Sequence, residues 1–271
     1  MKKKILIILI IILVLILAFS AWKLISIVSE YMKGEQVYAT MEEYVSIPEA
    51  NPQPEPIQKE TEPEEAVPEE TEPEAPPFPE VDFGALWSQN TDVVGWIYIP
   101  DTKINYPVLQ GETNDTYLRH LINGKYNTAG SIFLEAGIPM DFSSQNNPIY
   151  GHRMRNGTMF ADIAKYRTQK YYEAHPVGYL VTPDCNYVLH IFSGYVTSAF
   201  GDAWDTSFSE QGFDQWLKSV DKKSCFTSPV TPTTEDRILT FSTCTYEQED
   251  ARFVVHAVME AYVPEQENTA E

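Results

Sequence analysis

Cys244 and Arg252 carry the side chains with the clearest chemical potential in this chain, and they lie close together in sequence. In the stretch 238–258, ILTFSTCTYEQEDARFVVHAV, one run of β-forming residues ends on Cys244 and a second begins with Arg252. The short connection predicts a hairpin, in which the end of one strand lies near the start of the next. A lone cysteine in a strand is most often a small buried hydrophobe. Here, however, a neighbouring cation would favour the thiolate, and a guanidinium could stabilise an oxyanion formed by thiol attack on a carbonyl.

A thiol nucleophile normally works with an acid–base partner, most often histidine, and the chain has five histidines. His152 follows Gly151 at the end of a predicted strand, where glycine permits a close turn that presents the next side chain. His256 lies four residues after Arg252, so the strand period of two puts both side chains on one face. The residues alone therefore keep His152 and His256 as candidates, with His152 preferred. The others are predicted in a weak helix, a loop and an apolar strand: His120, His175 and His190.

Composition and spacing exclude several classes of site. The chain of 271 residues has a formal net charge of −20, which argues against a nucleic-acid partner, because phosphate binding needs a basic patch. Cys185, Cys225 and Cys244 lack the spacing of a zinc site; either the first two pair, or all three are free. The acidic stretch 247–250 is predicted to be a solvated loop and not a calcium site. No phosphate-binding or dinucleotide fingerprint occurs, so no cofactor and no metal are expected.

The elements that must position these residues are mostly strands. Helices are predicted over 83–90, 116–121, 159–166 and 213–219. Strands are predicted over 96–100, 105–110, 130–135, 146–152, 177–182, 187–198, 237–244 and 252–263. Strands outnumber helices and do not alternate with them strictly, which favours a mainly β, largely antiparallel, barrel-like fold with peripheral helices.

The first 22 residues predict a membrane anchor. Three lysines precede an uninterrupted apolar run from Ile5 to Trp22, and about 18–20 apolar residues in a helix span a hydrocarbon core. The lysines predict a cytoplasmic N-terminus, with the rest of the chain outside. The run is longer than the apolar core of a typical signal peptide, although Ala18-Phe19-Ser20 could serve as a cleavage site, so both an uncleaved and a cleaved segment stay possible.

A change of composition predicts the domain boundaries. Residues 23–80 form a juxtamembrane segment and a linker, of which 48–80 consists mostly of Pro and Glu and is expected to be a disordered spacer, either a stalk or a tolerated linker. A catalytic domain is predicted over 81–263 and a polar tail over 264–271. Residues 1–80 are accordingly expected to add nothing to a packed core and to be dispensable for chemistry in vitro.

The motifs then resemble those of a known family. TFSTC (240–244), followed by Arg252, and IYGHRM (149–154) upstream resemble the signature of sortases, over roughly 81–263. The helical insertion near 202–224, the N-terminal helix and the anchor resemble class B sortases in particular. One departure is Phe241, which occupies the position of the usual leucine and is expected to point into the core. The implied fold is a closed sortase-type β-barrel.

The resemblance implies a cysteine transpeptidase on the outer face of the cell membrane, which cleaves a C-terminal sorting motif of secreted proteins. Cys244 would be the nucleophile, His152 the acid and base, and Arg252 the group that binds the carbonyl and stabilises the oxyanion. Class B relatives imply NPQTN-like or (S/N)PxTG-like motifs and transfer of the acyl group to an amine of a cell-wall precursor. The family groove also implies four substrate-binding residues: Asn114, Leu118, Tyr150 and Ser242.

Two other classes of function use the same residues. A secreted cysteine hydrolase would pass the acyl group to water instead of an amine. A non-catalytic, membrane-anchored binding module would keep the fold without turnover, although the joint presence of Cys244, His152 and Arg252 in their motifs argues against it.

Overall fold

The computed structural model describes residues 2–48, 78–245 and 250–262. The central part of the predicted Pro/Glu linker, the acidic residues Glu247 and Glu249, and the predicted polar tail lie outside the described residues.

A closed β-barrel forms the body of the protein, as the motifs implied. In the described part of the chain it contains eight strands: β3 (Val93–Tyr98), β4 (Asn105–Leu109), β5 (Ile132–Leu134), β6 (Asn146–Tyr150), β7 (Val177–Val181), β8 (Asn186–Ser198), β9 (Arg237–Cys244) and β10 (Ala251–Tyr262). Going around the barrel, their order is β10-β8-β7-β3-β4-β5-β6-β9. The neighbours β4 and β5 are parallel, as are β6 and β9, and the other neighbouring strands are antiparallel. The predicted mainly β fold is therefore confirmed.

Short helices lie around the barrel: α2 (Phe83–Gln89), α3 (Gln169–Ala174), α4 (Glu210–Lys222) and two 3₁₀ helices, Asp162–Arg167 and Asp202–Trp204. Helix α4 extends the prediction for 213–219 at both ends. Its N-cap Ser209 accepts a hydrogen bond from the Gly212 amide, and its apolar side chains at helical spacing are buried. The helix predicted over 159–166 is instead the 3₁₀ helix Asp162–Arg167, which begins three residues later, and α3 was not predicted.

The predicted helix over 116–121 is wrong, because this segment forms turns. Its carbonyl groups bond to the segment that leads into β5 instead of to the next helical turn. The Tyr117 carbonyl accepts from the Ser131 amide at 3.0 Å, and the Arg119 carbonyl accepts from the Asn127 amide at 2.9 Å. Long-range hydrogen bonding thus overrides a weak local helix propensity.

The N-terminal helix α1 spans Lys2–Glu42, well beyond the apolar run that predicted it. Its apolar part has a mean hydropathy of 3.3 and is long enough to cross a membrane, which is consistent with an anchor. Farther along, Tyr38 and Met41 are buried against the barrel, with 5% and 4% of their surface exposed. One helix therefore contains both the candidate membrane span and a segment packed on the barrel.

Polar contacts fix this second part of α1. The Tyr38 hydroxyl donates to the Gly130 carbonyl at 2.6 Å. The Glu30 carbonyl accepts from Asn127 Nδ2 at 2.9 Å, and its carboxylate accepts from the Thr128 amide at 2.9 Å. The expectation that residues 1–80 add nothing to a packed core is consequently wrong for Glu30–Met41, because sequence composition does not reveal a docking partner on the barrel.

Two short strands outside the barrel, β1 (Val45–Ser46) and β2 (Glu80–Val81), flank the Pro/Glu segment and pair with each other. Ser46 lies opposite Glu80, and Phe78 packs against Tyr179 with ring centroids 5.2 Å apart. The two described ends of that segment are therefore neighbours on the domain. Because α1 already contacts the barrel before this point, the segment is not the spacer between anchor and barrel that its composition suggested.

Candidate active site

Cys244 and Arg252 lie at paired positions of the hairpin formed by β9 and β10. The pairing continues one step beyond Cys244, where the Thr245 amide donates to the Ala251 carbonyl at 3.1 Å. Directly opposed residues on antiparallel strands point to the same face of a sheet. The thiol and the guanidinium are both partly exposed at this edge of the barrel, as the hairpin prediction required.

His152 reaches the same edge through β6, which runs parallel to β9. Tyr150 pairs with Ser242, and the Gly151 amide donates to the Ser242 carbonyl at 3.1 Å. Two residues past this pair, the chain reaches His152 just beyond the end of β6 and Cys244 at the end of β9. Because adjacent parallel strands end at the same edge of a sheet, the imidazole and the thiol come from neighbouring chain segments at one mouth of the barrel.

Gly151 is required at this position because the space for a side chain is already filled. A Cβ atom there would lie 2.5 Å from Ile132 Cδ1 and 2.7 Å from the Phe160 ring. The Gly151 carbonyl accepts a hydrogen bond from Thr243 Oγ1 at 2.8 Å, which joins the two strand ends again. The glycine thus allows β6 to approach β9 closely just before His152.

The imidazole of His152 is held by the loop that contains Leu118. Its Nε2 lies 2.7 Å from the Leu118 carbonyl oxygen, and since a carbonyl only accepts, Nε2 carries the proton. Burial lowers the pKa of His152, and the Arg119 and Arg252 guanidiniums act in the same direction, against the opposing effect of the Leu118 carbonyl. A neutral imidazole at pH 7 has Nδ1 as its acceptor, so this nitrogen can take a proton while the Leu118 bond persists.

A cleft of about 570 Å³ contains all seven side chains that the sequence analysis assigned to catalysis or substrate binding: Cys244, His152, Arg252, Asn114, Leu118, Tyr150 and Ser242. Leu118 is 37% exposed, whereas Ser242 is almost fully buried at the base of the cleft. The proximity of these residues is observed; their individual roles are taken up below as proposals.

The competing histidine, His256, lies in the core and not in the cleft. It is fully buried, its Nδ1 lies 2.8 Å from Thr240 Oγ1, and its Nε2 lies 3.3 Å from the Tyr195 hydroxyl. Burial lowers the pKa of His256 to about 3, so the ring stays neutral. Strand alternation did place His256 on the face of Arg252, but farther along β10 helix α4 covers that face, and the Trp216 ring packs edge-on against the His256 ring with centroids 5.4 Å apart. His120, His175 and His190 do not line the cleft either.

The three cysteines are all unpaired, which decides between the two arrangements considered from sequence. Cys244 lines the cleft, whereas Cys185 and Cys225 do not. Phe241, the residue at the usual leucine position, is fully buried, and its ring packs edge-on against Phe160 with centroids 5.8 Å apart. The expectation that this side chain points into the core is confirmed.

Sequence reasoning missed several residues of the cleft. Phe200 and Trp204 line it from the segment that follows β8, and Phe200 is 88% exposed. Aromatic residues in a polar insertion were the available signal. Glu135, at the end of β5, was also missed: its carboxylate accepts hydrogen bonds from Asn114 Nδ2 at 2.7 Å and from the Tyr150 hydroxyl at 2.6 Å. No local pattern marks Glu135, because its two partners come from other strands and loops.

Comparisons with known proteins agree with this geometry. The sortase domain family matches residues 97–260. The chain is 39% identical to sortase B of Listeria monocytogenes over 173 residues, which is 63% of this chain and 70% of the relative. The structure is similar to a Staphylococcus aureus sortase B–substrate complex, with a TM-score of 0.64, 35% identity, and coverage of 67% of this chain and 85% of the other. Sortase B from Bacillus anthracis gives a TM-score of 0.69 at 30% identity, covering 87% of this chain and all of that chain.

The family match spans more than half of the chain and includes each strand that positions the cleft from β4 to β9. The matched region also contains Cys244, His152 and Arg252. The chain therefore belongs to the sortase family, as a class B sortase, and is a cysteine transpeptidase.

Proposed function

We propose that Cys244, His152 and Arg252 carry out the two acyl-transfer steps of this transpeptidase. The Cys244 sulfur attacks the carbonyl carbon of the scissile peptide bond, and His152 takes the thiol proton. When the carbon–nitrogen bond breaks, His152 gives that proton to the departing amine, which leaves a thioester on Cys244. An incoming amine attacks the thioester, loses its proton to His152, and releases Cys244 as the thiol.

One observation supports this assignment above the others, namely the convergence of three segments on one cleft. Cys244 and Arg252 are paired across β9 and β10, and His152 follows the strand that lies parallel to β9. The Arg252 guanidinium donates one N–H to the Ala251 carbonyl at 3.1 Å, and a guanidinium has five N–H groups. Further donors are therefore available for a substrate carbonyl and for the oxyanion that develops from it.

Sorting-signal peptides are the substrates of this family, and we propose an NPQTN-like or (S/N)PxTG-like motif for this chain. The S. aureus relative has been solved with a substrate, and its structure is similar to this one. The cleft walls combine the apolar surfaces of Leu118, Phe133 and Phe200 with polar groups, as an extended peptide of alternating chemistry requires. The acceptor is proposed to be an amine of a cell-wall precursor.

We further propose a single membrane pass with the N-terminus in the cytoplasm and the catalytic barrel outside. Three lysines precede the apolar part of α1, and positive charge is retained on the cytoplasmic side. The second part of α1 is docked on the barrel through Tyr38 and Glu30, so this arrangement would keep the catalytic domain near the membrane surface.

Peptide cleavage with and without an amine separates transpeptidation from its alternatives. The detergent-solubilised protein is incubated with an NPQTN peptide or an (S/N)PxTG peptide, each with and without triglycine. We expect cleavage of one peptide class, an acyl adduct on Cys244 and a triglycine conjugate when triglycine is present. Equal release of free acid in both conditions would favour a hydrolase, and absence of any adduct with either peptide would favour a binding module.

A further inference from the structure

Glu135 links two segments of the cleft through its carboxylate. One oxygen accepts from Asn114 Nδ2 at 2.7 Å, and the other accepts from the Tyr150 hydroxyl at 2.6 Å. Hydrogen bonds to an ionised carboxylate are shorter and stronger than those between neutral groups. Glu135 therefore connects the loop of Asn114 and Leu118 with the end of β6, although it does not itself line the cleft.

The backbone around Glu135 is fixed as well. Its amide donates to the Pro148 carbonyl at 2.9 Å, and its carbonyl accepts from Gln110 Nε2 at 2.8 Å. The Asn114 side chain closes the same arrangement, because its Oδ1 accepts from the Ala136 amide at 2.9 Å. The carboxylate is thus held in place before any substrate binds.

The two segments that Glu135 joins are the two that determine where His152 lies. The loop supplies the Leu118 carbonyl that holds the imidazole at 2.7 Å, and Tyr150 is separated from His152 only by Gly151. The Tyr150 ring also stacks on Phe133, with centroids 5.2 Å apart. Asn114, Leu118 and Tyr150 form one side of the cleft, the peptide-binding wall. A change at Glu135 would consequently alter both the shape of this wall and the position of the His152 imidazole.

We propose that Glu135 is a positioning residue of the active site, which sets the shape of the peptide-binding wall and the orientation of His152. This inference rests on the proposed function of the cleft and deepens it. One consequence concerns two of the residues assigned to substrate binding. Asn114 uses both ends of its amide, and Tyr150 its hydroxyl proton, within the protein. Their contribution to substrate binding is therefore mainly the surface that Glu135 holds in place.

The test compares Glu135→Ala, Glu135→Gln and Tyr150→Phe in the full-length protein in detergent, with the peptide that the wild type cleaves. Loss of two charge-assisted hydrogen bonds from a binding wall predicts a rise in KM on the order of tenfold for Glu135→Ala, with a smaller fall in kcat. Glu135→Gln should recover most of this loss, because its carbonyl accepts from Asn114 while its amide donates to the Tyr150 oxygen. Combining Glu135→Ala with Tyr150→Phe should add little, because both remove the same bond.

Glu260→Ala is the matched control, because Glu260 also accepts a short hydrogen bond, from His190 Nε2 at 2.6 Å, but on an exposed part of β10 outside the cleft. It should leave KM and kcat unchanged. If Glu135→Ala lowered the melting temperature but kept wild-type KM and kcat at 25 °C, or if its effects added fully to those of Tyr150→Phe, the inference would be overturned.

A second readout works without turnover and separates this inference from the proposed function. The rate of alkylation of Cys244 by iodoacetamide is measured against pH in wild type and Glu135→Ala. A loosened wall admits water around His152 and raises the pKa of this imidazole towards its ordinary value. Because the neutral imidazole is the form that takes the thiol proton, we expect the midpoint of the rise in alkylation rate to move to higher pH. Failure of the wild type to cleave either peptide would reject the proposed function, while an unchanged alkylation profile would reject the role of Glu135.

Discussion

Arg252 lies directly opposite Cys244 in the register of two antiparallel barrel strands, with the connecting loop beyond them. This relationship depends on the ladder of hydrogen bonds between β9 and β10 and not on the conformation of the loop. Opposed side chains share one face of the sheet, with Cβ atoms typically about 5 Å apart. The fold therefore presents a thiol and a guanidinium to the same cleft as a consequence of strand pairing.

Arg252→Lys is the first prediction. Lysine keeps the charge but lacks the planar fork of donors that can meet a carbonyl or oxyanion with two N–H groups. We expect Arg252→Lys to lose much of the cleavage rate, and Arg252→Ala to lose a factor on the order of 10²–10³. Peptide-cleavage kinetics measure both, with circular dichroism as the check on folding. Near wild-type turnover by folded Arg252→Ala would remove Arg252 from the mechanism.

Cys244→Ala should abolish cleavage, transfer and the acyl adduct seen by mass spectrometry, because the thioester has no other site in the cleft. Cys225→Ser is the matched control: Cys225 is an exposed free thiol outside the cleft and should be replaceable with activity retained. Cys185→Ala should behave likewise. An adduct on Cys185 or Cys225 would contradict this assignment.

The hairpin, the positions of Cys244, His152 and Arg252 at strand ends, and most strands could be predicted from sequence, because each depends on local signals. Alternating β-formers mark β9 and β10, and Gly151 marks the strand end that precedes His152. The features that were not predicted depend on contacts between residues that are far apart in the chain. The role of Glu135 is apparent only from its hydrogen bonds to Asn114 and Tyr150. The packing of α1 is likewise apparent only from contacts such as the one between Tyr38 and Gly130. The helix predicted over 116–121 failed for the same reason, since the Arg119 and Tyr117 carbonyls bond to the amides of Asn127 and Ser131 farther along the chain.

The packed part of α1 gives a prediction that replaces the expected dispensability of residues 1–80. Truncation of a large buried side chain typically costs ~2–5 kcal/mol, and Tyr38, Met41 and Phe78 are all buried. A variant that begins at Val81 should therefore have a free energy of unfolding several kcal/mol below that of a variant that begins at Ser29, which keeps α1 on the barrel. Urea denaturation of the two soluble proteins measures the difference. Equal unfolding midpoints would mean that α1 does not stabilise the barrel.

His152→Ala and His256→Ala should separate chemistry from stability. His152→Ala should remove nearly all turnover with little change in the unfolding midpoint, because the imidazole is partly exposed at the cleft. His256→Ala should lower the free energy of unfolding and reduce the rate only modestly, because it leaves a cavity in the core and removes the hydrogen bonds of the ring to the Thr240 and Tyr195 hydroxyls. Full activity of His152→Ala would reassign the base.

The buried His256 also predicts how stability depends on pH. Its folded-state pKa of about 3 lies below the ordinary value of 6.5, so between these pH values the unfolded chain binds a proton that the folded protein does not. The stability contribution is fully present above pH ~6.5 and is lost as the pH falls towards 3. At pH 5 this single group should cost about 2 kcal/mol relative to pH 7, at ~1.4 kcal/mol per pH unit.

His256→Asn isolates this effect, because asparagine can still bond to Thr240 but does not titrate. The free energy of unfolding is measured by urea denaturation at pH 7 and pH 5 in both proteins. Other groups near His256, such as Lys223 and Asp202, are present in both and cancel in the comparison. We expect the wild type to lose about 2 kcal/mol more than His256→Asn between pH 7 and pH 5. The same loss in both proteins would show that His256 takes up its proton in the folded barrel, and that its burial does not hold the ring neutral.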